Sequence, residues 1–184
     1  RFAEKAEKEL VHVCNFPDWD PIHYLDVAEM TTAVAIGYDW LYDVLAPSTR
    51  QLVVHSIKTK ALDLVVEEYK TGNADSWAKR ETNWNVVCNT GMVLGALAIE
   101  EHYPELAKHI IGEAVRYIPN CLKHFAPDGV CYEGPAYWGY TNMYLSLLLK
   151  ALNDNFGGDF GLSEMVGVDK SVLYYICLLY TSPS

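Results

Sequence analysis

A chain of 184 residues, 51% of them hydrophobic, has material for one domain with a sizeable core. Its formal net charge of −10 argues against a nucleic-acid binder, whose footprint is clustered Lys and Arg. No apolar run approaches the roughly 18–20 residues of a membrane-spanning helix, so no membrane span is expected. Cys14, Cys88, Cys121, Cys131 and Cys177 show no CxxC and no Cys/His metal spacing, and read as buried thiols.

The first predicted helix, a charged stretch opening at Arg1, runs to about Val13. The absence of an initiator there reads as a piece of a longer or processed chain. Asn15–Pro21 is a rigid loop, with Asp20 as the candidate N-cap of the next helix and Pro21 at its first position. From Tyr24 to Leu45 the apolar residues fall at i, i+3, i+4, the period of a one-faced helix. Pro47 is expected to stop it, and Ser48 with Gln51 forms a capping box that opens a single helix to about Tyr69. Thr71 to Arg80, with Gly72 and Asn73, is a polar loop.

The helix expected over Trp84–His102 differs in kind. Gly91, Gly95, Ala96 and Ala98 make it small and apolar all round, as suits a helix enclosed by others. Pro104 opens the next, with Leu106, Ile110, Ala114, Tyr117 and Cys121 on one stripe. Asp128-Gly129 forms a turn, Tyr140–Leu152 is helical again, and Gly157, Gly158 and Gly161 break that pattern. Tyr175–Ser184 continues no helical period. From Cys177 it resembles translated adaptor read-through at the end of a metagenomic reading frame, and is set aside as a non-native tail. The pattern is all-α, built of antiparallel helical hairpins.

Two segments stand out from this plain scaffold, Thr82-Asn83-Trp84-Asn85-Val86-Val87-Cys88-Asn89 and Tyr132-Glu133-Gly134-Pro135-Ala136-Tyr137-Trp138-Gly139-Tyr140. Aromatic rings suit sugar faces, and amides or carboxylates suit sugar hydroxyls. Other readings stand beside these. Asn83 or Asn85 could cap a helix, Tyr137 could be a packed phenol, and Trp40 and Trp138 read first as core rings. Glu133 could stabilise the bend before a helix or bind a hydroxyl. The six histidines show no ligand spacing, so no metal and no cofactor are expected.

With these residues in view, the chain resembles the heparinase II/III-like polysaccharide lyases in their N-terminal α/α-toroid domain. Gly37-Tyr38-Asp39-Trp40-Leu41-Tyr42 resembles the family's Tyr-Asp-Trp-Leu run, and the likeness continues through both segments into Phe156–Leu162. The resemblance implies that residues 1–176 are part of an incomplete α/α toroid, with a downstream β-rich domain outside this chain. It implies β-elimination on an acidic polysaccharide or oligosaccharide, and a periplasmic or secreted location. It implies Tyr137 as proton shuttle and Asn83, with Asn85 as alternate, neutralising the uronate carboxylate. Where the family often has His after that Asn, this chain has Trp84.

The chemistry asks for amide donors that let charge flow into the carboxylate as the C5–H bond breaks. It also asks for a cation to bring a phenol with an ordinary pKa near 10 into use as a base. Lys79 and Arg80 are nearest in sequence, and Trp77, Trp84, Trp138 and Tyr140 offer ring faces. Lys79, Arg80, Arg116 and Lys123 form the expected basic rim, which eases the tension between an acidic chain and an acidic substrate. Two alternatives are a glycoside hydrolase, pairing Glu133 with Asp128 or Asp39 across the scissile bond, and a non-catalytic sugar-binding or scaffold domain.

Overall fold

The computed structural model describes residues 2–71 and 76–181. Among them every regular element is helical, and no strand occurs. Gly72 and Asn73 of the expected polar loop, and the last three residues of the tail, lie outside the described residues. Chain contacts form two compact units, Arg1–Asn73 with Cys88–Ala114, and Ala74–Val87 with Val115–Ser184.

In the first unit, α1 (Phe2–Cys14) packs on α2 (Tyr24–Leu41) and α3 (Pro47–Ile57), and α2 packs on α3. Asp20 does not cap α2. It adopts a positive φ of 56° in the connecting turn, with its N–H on Asp18 Oδ1, and His23 is the cap residue instead. Pro47 does not stop a helix but starts one. It occupies the first turn of α3, where a missing N–H is harmless. The Ser48 capping box does not form, because the cap residue is Ala46. Glu7 of α1 accepts hydrogen bonds from the Ala46 N–H at 2.9 Å and the Thr49 hydroxyl at 2.8 Å.

The single helix expected to Tyr69 is interrupted by a π-helical turn at Lys58–Leu62, after which α4 runs over Asp63–Thr71. Lys58 spans this turn with an ion pair to Asp63 at 2.7 Å. α5 (Asn83–Ala98) is the enclosed helix that its small residues foretell, and Val86, Val87, Met92, Val93 and Ala96 are fully buried. Gly91 explains how closely it packs: a Cβ there would lie 2.6 Å from the Ala28 carbonyl oxygen of α2. Tyr69 of α4 donates its hydroxyl to Asn89 Oδ1 at 2.7 Å in the core.

α6 (Pro104–Tyr117) ends sooner than its stripe suggests, because Pro119 cannot continue it. The chain restarts as α7 (Pro119–Leu122) and a short 3-10 turn, Lys123–Phe125. In the second unit Cys121, Leu122 and Phe125 join Tyr144, Leu145, Leu148 and Leu152 of α8 (Pro135–Phe156) in the core. α8 begins five residues before the expected Tyr140, directly after Gly134, whose φ of 90° turns the chain into Pro135.

Residues 175–181, expected to follow no helical period, belong to α9 (Ser171–Thr181). Its sequence is apolar all round, so periodicity cannot reveal it. Tyr175 stacks on Trp138 with ring centroids 4.8 Å apart and 5° between planes. Beyond it Leu179 and Tyr180 are exposed.

Candidate functional site

The first four N–H groups of a helix have no partner within it, and its N-terminus favours negative charge. At the start of α5 that need is met from the other polar segment. Glu133 accepts the backbone N–H of Asn83 at 2.7 Å on one carboxylate oxygen and the Asn83 side-chain amide at 2.8 Å on the other. The turn at Gly134 directs Glu133 to this position before α8 begins. The two segments are thus joined inside one unit by a two-point clamp, and Glu133 caps α5 from outside that helix.

Asn83 is only 3% exposed, and its Oδ1 atom is buried without a partner among the described residues. So are the hydroxyls of Thr82 and Thr141 and the indole N–H of Trp138. Buried polar atoms left unpaired are uncommon in folded proteins and mark places where water or a ligand can be accepted. The clamp takes one of the two N–H groups of the Asn83 amide and leaves the other for a further acceptor.

Asn85 is employed differently. It is fully buried, and its amide donates to the carbonyls of Ala78 at 2.6 Å and Tyr117 at 3.0 Å. Asn120 adds a bond to the Lys79 carbonyl at 3.1 Å. These amides brace the approach to α5, which gives Asn85 a structural task.

Tyr137, in the first turn of α8, is 52% exposed and is therefore no packed core phenol. Trp138 is half-buried with one face covered by Tyr175. Trp84 is half-buried, and Arg80 lies over its ring at 5.3 Å from the centroid. Tyr140 meets Tyr144 edge-on at 5.4 Å. Trp40, read as a core ring, is instead 81% exposed. The expected basic rim is arranged mostly over rings. Lys79 and Arg116 lie 5.4 and 5.3 Å from the Tyr117 centroid.

One cluster carries no signal in the sequence. Glu81 accepts from Lys123, and its other oxygen lies 2.7 Å from His124 Nε2. The Tyr132 hydroxyl donates to the Glu81 carbonyl at 3.0 Å, and the Tyr132 and His124 rings meet at 5.1 Å. The Lys123 hydrogen bond first, and then His124, hold the Glu81 carboxyl below its ordinary pKa. Burial pushes the Tyr132 phenol and the Cys131 thiol up, and the Cys121 thiol up to about 12. No cysteine forms a disulfide among the described residues; Cys14, Cys88, Cys121 and Cys131 are buried as expected, and Cys177 is exposed instead.

No protein-family model matches the chain, and no curated protein matches it with significance. Among the described residues no helix is long and apolar enough to cross a membrane.

Proposed function

We propose that this chain is part of a polysaccharide lyase that cleaves a uronic-acid-containing polysaccharide by β-elimination, on a scaffold of α/α-toroid type. The observation that carries this reading is the Glu133–Asn83 clamp. It ties the two polar-aromatic segments together and leaves Tyr137, four residues beyond Glu133, half exposed.

In this reading the remaining N–H of the Asn83 amide donates to the uronate carboxylate as charge builds on it, an interaction that strengthens toward the transition state. Glu133 fixes the rotamer of that amide. The Tyr137 phenol moves the proton, taking it from C5 or returning it to the leaving oxygen. Arg80 on Trp84, with Trp138 and Tyr140, forms the sugar-binding surface. The hydrolase alternative has less support. Both Glu133 oxygens are engaged by Asn83, and the Asp128 carboxylate accepts the Val130 N–H of its own turn.

The test belongs in the full-length parent protein. Elimination creates an unsaturated uronate that absorbs in the ultraviolet, whereas hydrolysis releases saturated reducing ends. Tyr137→Phe removes one hydroxyl from an exposed ring, so folding should persist while elimination falls by about 10²–10⁴-fold. Elimination at the wild-type rate in that variant would remove Tyr137 from the mechanism.

A further inference from the structure

α9 sits against α8 through rings rather than through a buried face of its own. An isolated helix of about eleven residues is marginal in water, so its persistence depends on what it packs against. Ser171, its first residue, is buried, whereas none of residues 172–180 is. Val172, Leu173, Ile176 and Leu179 are each at least 41% exposed. The ring contacts of the helix converge on Trp138. Tyr175 stacks on that indole at 4.8 Å between centroids, and Tyr174 meets it edge-on at 6.4 Å.

The base of α9 is fixed more firmly than its body. The Ser171 hydroxyl donates to Asn142 Oδ1 at 3.1 Å, and the Asn142 amide donates to the Trp138 carbonyl at 2.9 Å. Gly129 packs against the same point, because a Cβ there would lie 2.5 Å from the Ser171 nitrogen. Lys170 adds a bond to the Pro127 carbonyl at 3.3 Å. The helix is thus pinned at one end, with two tyrosines laid on a tryptophan.

We propose that α9 is an autoinhibitory strap, in which Tyr175 occupies the Trp138 face that a pyranose ring takes when the strap swings aside. The proposal rests on the reading of Trp138 as part of a sugar-binding surface.

Two opposed effects set the balance between closed and open. The stack favours the closed strap, since an aromatic pair contributes beyond the area it buries. The indole N–H opposes it. Nε1 of Trp138 is buried with no partner among the described residues, so Tyr175 brings a ring and leaves the donor unmet. A buried donor without an acceptor carries the cost of its lost hydration. A pyranose offers an apolar face to the indole and oxygen acceptors around its rim, and so answers both needs. Opening also uncovers little apolar surface beyond the stacked rings, because residues 172–180 are not buried to begin with. A ligand that binds only the open form has its apparent affinity reduced by the closed fraction, which is how the strap would inhibit.

The test uses the 184-residue chain, with cellotetraose and tetraglucuronate as neutral and acidic pyranose probes. Hydrogen exchange should run at least about a hundredfold faster in α9 than in residues 144–152 of α8, and faster again with a bound probe. Tyr175→Ala should bind the probe about two- to tenfold more tightly than wild type, the worth of one aromatic stack. Tyr175→Phe keeps the ring and should bind as wild type does. In a Trp138→Leu background the gain from Tyr175→Ala should vanish. Unchanged exchange in α8 shows that each variant is folded. Three results would each overturn the proposal: α9 protected as strongly as α8, a probe that slows exchange in α9, or Tyr175→Ala binding no better than wild type. If the strap opens for a probe while the full-length parent forms no unsaturated uronate, elimination fails and the strap stands. Elimination indifferent to Tyr175→Ala removes the strap alone.

Discussion

At the Asn83–Glu133 junction the Asn83 and Asn85 amide donors meet acceptors of the chain, whereas around the Tyr42 hollow, which Tyr38 and Arg50 also line, the donors face open volume. Glu133 meets both the backbone and the side chain of Asn83, and the Asn85 amide meets two carbonyls. Arg50 and the Tyr38 hydroxyl have no such partners among the described residues. The difference separates two uses of one set of residue types. Amide donors matched to acceptors hold chain segments in place, while donors without an acceptor beside a cavity are available to a ligand. In the proposed reaction the junction matters mainly through what it leaves over, one amide N–H and the unpaired Oδ1 of Asn83 and the exposed Tyr137.

The comparison breaks most readily at Glu133. Glu133→Ala strands two donors of a buried residue, and should lower unfolding stability by about 2–3 kcal/mol. Glu133→Gln retains one acceptor oxygen and should recover roughly half of that loss. Equal stability of Glu133→Ala and wild type in equilibrium denaturation would show that the clamp does not join the segments.

Asn85→Ala should cost about 1–2 kcal/mol, because it frees two carbonyls and opens a small void. Tyr38→Phe is the counterpart at the hollow. It removes a hydroxyl that bonds nothing among the described residues, so stability should remain within about 0.5 kcal/mol. A large loss from Tyr38→Phe would place that hydroxyl with the structural groups and erase the contrast.

The smallest effect is expected at Glu81, a solvent-exposed carboxylate between Lys123 and His124. Its folded pKa lies below the ordinary 4.5. Its contribution to stability is therefore complete above about pH 4.5 and is lost as pH falls through the folded value. The stability gap between wild type and Glu81→Gln should close on acidification, and also in high salt at neutral pH. A gap insensitive to both would mean that Glu81 acts through packing.

How much of this was legible in the sequence follows from where each signal lies. The enclosure of α5 could be read from Gly91, Gly95 and Ala96, because small residues on an apolar helix have few other uses. The two polar-aromatic segments could be recognised, but not the bond between them. Capping rules search within a few residues of a helix start, and the acceptor for Asn83 comes from Glu133, 50 residues along the chain. The Tyr42 hollow was illegible for a similar reason. Tyr38 comes from α2 and Arg50 from α3, each at a spacing that any amphipathic helix has, and only packing brings them to one cavity. α9 escaped because a helix without a polar face has no period to detect.

The π-helical turn at Lys58–Leu62 has a consequence for the whole of α4. Val53, Ile57, Ala61, Val65 and Tyr69 are all buried, and they recur at every fourth position. In an unbroken α-helix that spacing drifts by about 40° at each step, which would carry Tyr69 about 160° out of phase with Val53. A wider turn winds through fewer degrees per residue and absorbs part of that drift. Residue number in this short stretch therefore matters more than residue identity. Removing a single position from it would rotate α4 by about 100° and swing Tyr69, with its bond to Asn89, away from the core.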